Sequence, residues 1–361
     1  MSISLGQLAK ESLKQIVEEV DKGLEKYWKK QLDKGFGFEG SQRELSRKII
    51  EHAREHNLRP AKRVRAALVY YGYLLGMEKI EEKEEIEKVM EAMELIQTAL
   101  LMHDDFMDED KLRRGLPTTH EYFAGGDKHY GEVMAVNVGD MALCLGYERM
   151  LECGLDQKKV LKAAKILMRG IAETALGQSY DVSLPKLGNL SEEKVLAVHR
   201  TKTSIYTFQN PLLVGGILGG LSEKVLEVLK EYAQEAGVAF QLQDDVLGMF
   251  GESEKTGKST DSDLLQGKST LLIAKTLEMG NEKQKESLLK AWGNKKASIE
   301  EIAAAKRVIK DSGAYDYSVK RSGELAEKAQ KKLEGLEQTK LNQTAVNFLK
   351  GLTEYIVNRD L

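Results

Sequence analysis

Cysteine is nearly absent: Cys144 and Cys153 are the only two in 361 residues, too few for a zinc cage of their own or for a secreted disulfide framework. They read as free thiols in a reducing compartment. The first residues hold no unbroken apolar core, since Leu5, Leu8, Leu13, Ile16, Val17, Val20 and Leu24 share one helical face between charges, so no export is implied and the expected location is cytoplasmic. Proline is as scarce, at four, and long helices meet few interruptions. No excess of one charge exists either. The 54 basic and 57 acidic residues leave a net charge of -3, which argues against a general nucleic-acid or anionic-membrane binder. One uncharged stretch, Thr203 to Ser222, matches the roughly 20 residues of a membrane span, but Thr207, Gln209, Asn210 and Pro211 interrupt it. It reads as a buried, bent helix.

Strand signals are also missing, because alternating runs of β-branched and aromatic residues between hairpin turns are hard to find. Helical spacing is what remains, as in Ile86, Val89, Met90, Met93, Ile96 and Leu100. The expectation is an all-α bundle of long antiparallel helices. Ser41 with Glu44 and Ser298 with Glu301 have the spacing of capping boxes, Ser191 and Ser222 read as simpler caps, and Pro185 to Asn189 reads as a break between helices. No shift in composition marks a boundary, so residues 1–361 read as one domain, despite a length that by itself suggests two.

Two acidic clusters stand out. Asp104, Asp105 and Asp108 follow an apolar helical segment, and Asp104 and Asp108, four apart, share a face with Asp105 about 100° around. Carboxylates at a helix C-terminus oppose the macrodipole by about 0.3–1 kcal/mol each when exposed, so something positive must compensate. Asp244 and Asp245 end a second apolar helix, with Gln241 on the same side. A solvated helix end explains one such cluster more economically than two. Oxygen-only ligands favour a hard cation such as Mg2+, and acids gathered in one cavity need cations to stay ionised. Arg113 and Arg114 follow the first cluster, Lys258 and Lys268 the second, and Lys62, Arg63 and Arg65 punctuate RPAKRVRAAL. Acids that hold magnesium beside bases that hold phosphate oxygens point to a diphosphate ligand. No Gly-rich P-loop follows a strand, which leaves nucleotide chemistry poorly supported.

This combination resembles the trans-isoprenyl diphosphate synthases, the polyprenyl synthetase family, from about Arg59 to about Leu272. Asp104-Asp105-Phe106-Met107-Asp108 with Arg113-Arg114-Gly115 is similar to the first Asp-rich motif. Phe240-Gln241-Leu242-Gln243-Asp244-Asp245 is similar to the second. Gly139-Asp140, Gly177-Gln178 with Asp181, and Lys202-Thr203 lie between them in the family's order. The resemblance implies a helical bundle around a deep cavity, a homodimer, and a core of about residues 59–272 between an N-terminal helical extension (1–40) and C-terminal helices (273–361). Three departures are visible: Pro60-Ala61 replaces Gly-Gly before Lys62-Arg63, Gln97 stands where many members have His, and Gly248 replaces the third acid of the second motif.

By resemblance, an allylic diphosphate binds with its phosphates on Mg2+ held by Asp104, Asp108 and Asp244, with Asp105 and Asp245 completing the catalytic motifs. Arg113, Lys202, Lys258 and Lys268 neutralise the remaining charge. Isopentenyl diphosphate takes Lys62, Arg65, Gln97 and Arg114, while Thr203 and Gln241 lie near the allylic cation. Ala99, five residues before the first Asp, is small where short-chain members often carry a bulky aromatic. That implies a product of geranylgeranyl length or longer, with Leu100 able to narrow the passage. A class I terpene cyclase would need no second diphosphate site, and a non-catalytic partner subunit would not need both acidic motifs. His103 and His199, next to the motifs, read as structural.

Overall fold

The computed structural model describes residues 4–34, 37–188, 190–251, 260–336 and 340–358. Helices dominate, as the helical spacing of apolar residues dictates. In chain order they are α1 (Leu5–Lys34), α2 (Gly40–Leu58), α3 (Val64–Leu75), α4 (Lys83–Met107), α5 (Thr119–Ala124), α6 (Lys128–Leu151), α7 (Gln157–Leu187), α8 (Glu192–Val198), a π-helical segment (His199–Gln209), α9 (Asn210–Leu218) and α10 (Glu223–Phe250). There follow α11 (Ser262–Leu265), α12 (Leu271–Met279), α13 (Glu282–Ala291), α14 (Ile299–Asp311), α15 (Ala314–Leu333) and α16 (Gln343–Val357). Among the described residues the only sheet is one antiparallel hairpin, β1 (Leu112–Arg113) with β2 (Leu116–Pro117). None of the described helices is long and apolar enough to cross a membrane.

The helix starts show which side chains satisfy the free amides of a first turn. Ser298 and Glu301 form the expected capping box, and Ser191 and Ser222 cap α8 and α10. Ser41 does not cap: α2 already begins at Gly40, which puts Ser41 inside the first turn. A box at Asn281 and Gln284 does the same work for α13. Pro185 is no break, since α7 runs through it to Leu187 and ends before Gly188.

Two compact units make up the chain. One comprises Lys10–Lys165 with Val214–Leu221. Here α4 packs on α3 and α6, and α5 on α6. Its polar centre is Arg63, buried and in the left-handed region at φ 47°. Arg63 donates to Asp21 of α1 (2.8 Å), Glu94 of α4 (3.1 Å) and the Asn57 carbonyl of α2 (2.8 Å). Asn57 in turn accepts from Trp28 Nε1 (2.8 Å) and donates to Thr98 Oγ1 (2.7 Å). Every charge in this buried set has a partner, which is the condition for keeping it there.

The other unit comprises Met1–Ala9, Ile166–Leu213 and Ser222–Leu361. Its axis is α10, packed against the π-helical segment, α12, α15 and α16. The Tyr232 hydroxyl donates to the Leu349 carbonyl (2.8 Å) and Ser322 Oγ to the Ala239 carbonyl (2.9 Å), so α16 and α15 are pinned to α10 within an apolar core.

Candidate active site

In the first unit, the buried stripe Ile86, Val89, Met93 and Ile96 orients α4 so that its last turn delivers the acidic motif. Asp108 forms the C-cap, and Asp104 and Asp108 are both half-buried. Asp105 has a different place. Its side chain is fully buried, and its Oδ1 accepts from Arg113 Nε at 2.7 Å and from Arg113 Nη2. Arg113 also lies 3.8 Å from Asp104 and 3.5 Å from Asp110. Burial by itself would lower the Arg113 pKa, but Asp105, then Asp104 and Asp110, outweigh it and hold the guanidinium above its ordinary value. This is the positive charge that the helix-end carboxylates require. His56 lies 3.7 Å from the other oxygen of Asp105, and burial, the largest influence on it, pushes His56 below the usual imidazole range.

The hairpin after the motif turns on Arg114 and Gly115, both at positive φ (54° and 77°). Two successive left-handed residues make the type I′ turn that matches strand twist, and Gly115 supplies the second at no steric cost. The turn brings Arg114 into a crowd of guanidinium groups. Burial, followed by repulsion from Arg63 and then Arg113 and Arg65, lowers the Arg114 pKa to about 10, with Glu94 opposing. Arg65 is half-buried in the first turn of α3, Lys62 is exposed just before that helix, and Gln97 is half-buried on α4. Ala99 is fully buried and Leu100 half-buried, a little over one turn before Asp104. Met107, in the same last turn of α4 as the buried Asp105, is half exposed.

In the second unit the motif residues are joined by a chain of contacts. Thr203 Oγ1 donates to Gln241 Oε1 (2.8 Å), and Gln241 Nε2 donates to Asp245 Oδ1 (2.8 Å). The other Asp245 oxygen lies 3.0 Å from His199 Nε2, without hydrogen-bond alignment. Lys202 Nζ pairs with Asp181 of α7 at 2.9 Å. Lys202 and Thr203 stand on π-helical backbone, in which Asn210 N bonds to the Ile205 carbonyl five residues back and Pro211, just beyond, has no amide to donate. The segment is pressed from two sides: a Cβ on Gly177 would lie 2.7 Å from Lys202 N, and one on Gly237 would lie 2.6 Å from Ser204 Cα.

Asp244 is half-buried one turn before Gly248 on α10. A Cβ on Gly248 would lie only 2.9 Å from Asp263 Oδ2, so a carboxylate from α11 occupies the space beside the glycine. Lys268 pairs with the other oxygen of Asp263 at 3.1 Å. Lys258 lies outside the described residues. Among the described residues, no three His, Cys, Asp or Glu side chains converge as a ready-made metal cage.

Each unit therefore gathers most of its own predicted residues, and in both motifs the second acid faces a buried histidine. Residue order did not reveal His56, His199, Asp181 or Asp263 as partners of the motif residues. Asp263 left a sequence signal of its own, five residues ahead of Lys268 in SDLLQGKS.

Comparison with known proteins places these observations. The family profile described as polyprenyl synthetase matches residues 47–309, well over half the chain and wider than the 59–272 expected. The chain is 34% identical to the geranylgeranyl diphosphate synthase of Saccharolobus solfataricus over 283 residues, covering 77% of this chain and 81% of that one. It is 35% identical to the short chain isoprenyl diphosphate synthase of Methanocaldococcus jannaschii over 254 residues, covering 70% and 74%. Its fold is similar to the crystal structure of a geranylgeranyl pyrophosphate synthase from Corynebacterium glutamicum complexed with isoprenyl diphosphate and magnesium. That likeness has a TM-score of 0.88 and 26% identity, and covers 96% of this chain and 99% of that one.

Proposed function

The chain belongs to the polyprenyl synthetase family, and from that premise we propose that it is a trans-prenyltransferase joining isopentenyl diphosphate to an allylic diphosphate. The observation that carries the reading is the cluster of Arg63, Arg65, Arg113 and Arg114, whose mutual repulsion adds to burial in lowering the Arg114 pKa to about 10. Such repulsion is relieved by a polyanion, and the dipole of the α3 N-terminus beside Lys62 and Arg65 adds to the attraction. We assign Lys62, Arg65, Gln97 and Arg114 to isopentenyl diphosphate, and Lys202, Lys258 and Lys268 to the allylic diphosphate. Arg113, tied to Asp105, serves mainly to hold the acidic motif in place.

The donors of each unit fit Mg2+ by themselves: Asp104 and Asp108, one turn apart, offer only carboxylate oxygens, as does Asp244 in the other unit, and a hard ion needs just one or two protein carboxylates when substrate phosphates complete its shell. When bound, the ion supplies charge stabilisation for the departing diphosphate. We add Asp263 as the acid that serves where Gly248 has none. The Thr203 hydroxyl spends its proton on Gln241, so its lone pairs stay available to the developing allylic cation, and Gln241 is held in one orientation by Asp245. No side-chain base is assigned, and the released diphosphate takes the proton.

The product we propose is of geranylgeranyl length or longer, since Ala99 offers only a methyl group. We treat the whole chain as one polyprenyl synthetase domain acting as a cytoplasmic homodimer. Exposed apolar residues at helical spacing on α6 (Tyr130, Val133) and α7 (Leu161, Met168, Leu176) support a second copy as their cover. The test is turnover of labelled isopentenyl diphosphate with an allylic primer. Asp104→Ala and Asp244→Ala should each lower kcat by about 10² to 10³ with helical circular dichroism intact. Asp263→Asn should raise the Mg2+ needed for half-maximal rate. Full activity in excess chelator would overturn the metal assignment, and an unchanged Mg2+ requirement in Asp263→Asn would remove that residue.

A further inference from the structure

Arg59 is a buried arginine at the C-cap of α2, 3% exposed, and nothing in the proposed chemistry uses it. Its fork is fully engaged. Nε and Nη2 donate to the two Glu55 oxygens at 3.0 and 2.8 Å, which fixes the guanidinium plane on its own helix. The far edge then reaches the hairpin: Nη1 donates to the Arg113 carbonyl (3.0 Å) on β1 and Nη2 to the Pro117 carbonyl (2.9 Å) on β2. The Arg59 carbonyl completes the grip by accepting from Arg114 Nη1 at 2.8 Å.

A hairpin with two residues per strand has almost no stability of its own, and this one carries a non-glycine residue, Arg114, at positive φ. Its position is therefore set by what it docks against. The Arg113 side chain has a separate anchor in Asp105, so a loosened hairpin falls mainly on Arg114. We propose that Arg59 is a positioning residue that holds the turn so that Arg114 meets the diphosphate of isopentenyl diphosphate. This rests on the assignment of Arg114 made above. A lysine keeps the charge but cannot bridge two carbonyls while holding Glu55, so the fork is the essential feature.

The test is steady-state kinetics with isopentenyl diphosphate, an allylic diphosphate and Mg2+. Arg59→Lys and Arg59→Gln should each raise the KM for isopentenyl diphosphate on the order of tenfold, the scale of a lost charge-assisted hydrogen bond. The allylic KM should change less than about twofold. Glu55→Gln, at an exposed position whose two carboxylate oxygens accept from Arg59, should shift the same constant in the same direction by a smaller factor, and it keeps the test open if the Arg59 variants fail to fold. In an Arg114→Ala background, Arg59→Lys should add nothing further. Wild-type KM in Arg59→Lys or Glu55→Gln, an additive effect in the double variant, or equal shifts in both substrates would overturn the role of Arg59. An unchanged KM in Arg114→Ala would instead sink the assignment of Arg114 itself.

Discussion

Removing the Arg113 guanidinium should damage the fold of the acidic motif more than the binding of any phosphate. Its partner Asp105 is fully buried, and with Arg113→Ala that carboxylate would face only His56 at 3.7 Å, an imidazole that burial keeps neutral. Breaking a buried ion pair from one side costs about 3–5 kcal/mol, against a total stability of about 5–15 kcal/mol for a domain. With a urea dependence of about 1–3 kcal/mol per molar, the unfolding midpoint should fall by about 1 M or more. Urea titration at pH 7, followed by far-UV circular dichroism, measures it. Asp105→Asn added to Arg113→Ala removes the stranded charge and leaves only an amide to satisfy, so the double variant should be about 1–3 kcal/mol more stable than the single one. A double variant less stable than Arg113→Ala would refute the argument. So would an Arg113→Ala midpoint within about 0.3 M of wild type together with a selective rise in the allylic KM, the signature of a plain phosphate ligand.

Acid should destabilise the first unit through His52, whose pKa burial, aided by His56, Arg59 and Lys48, pushes from 6.5 down to about 3. Between those values the unfolded chain binds the extra proton, so stability falls as pH drops below 6.5, by about 2 kcal/mol at pH 5. His52→Gln, which can keep the contact to Thr119, should lose that much less stability than wild type between pH 7 and pH 5 in paired urea titrations, and equal losses would remove His52 from the account. Ala99→Tyr should shorten the main product by about one isoprenyl unit, read by mass spectrometry, because it fills the buried position a turn from Asp104 at an overpacking cost of about 1–3 kcal/mol. A folded, active variant with an unchanged product distribution would show that Ala99 does not floor the chain.

Helical periodicity made the bundle legible, because a 3.6-residue repeat in Ile86, Val89, Met93 and Ile96 needs only local geometry to declare a buried face. The acidic motifs were legible for the same reason: Asp104 and Asp108 share a face by spacing alone. Capping was readable where a side chain meets its own first turn, as at Ser298, and failed at Ser41, where the preceding backbone had already entered the helix.

What no local rule could supply was the partner across the fold. Asp105 and Asp104 are neighbours of one residue type, yet Asp105 is fully buried against Arg113 while Asp104 stays half-open. Asp245 meets His199 from a separate segment, and the space beside Gly248 belongs to Asp263 fifteen positions on. By sequence Arg59 was one more basic residue, and only docking of the hairpin put its fork on two carbonyls. Periodicity and spacing sufficed for the helices and the residue types of the chemistry, and the resemblance of the motifs for the family. Tertiary structure decided which charges face a substrate and which are consumed in holding the others, because ionic and hydrogen-bond partners are set by distance in space, and packing alone brings residues remote in sequence to 3 Å.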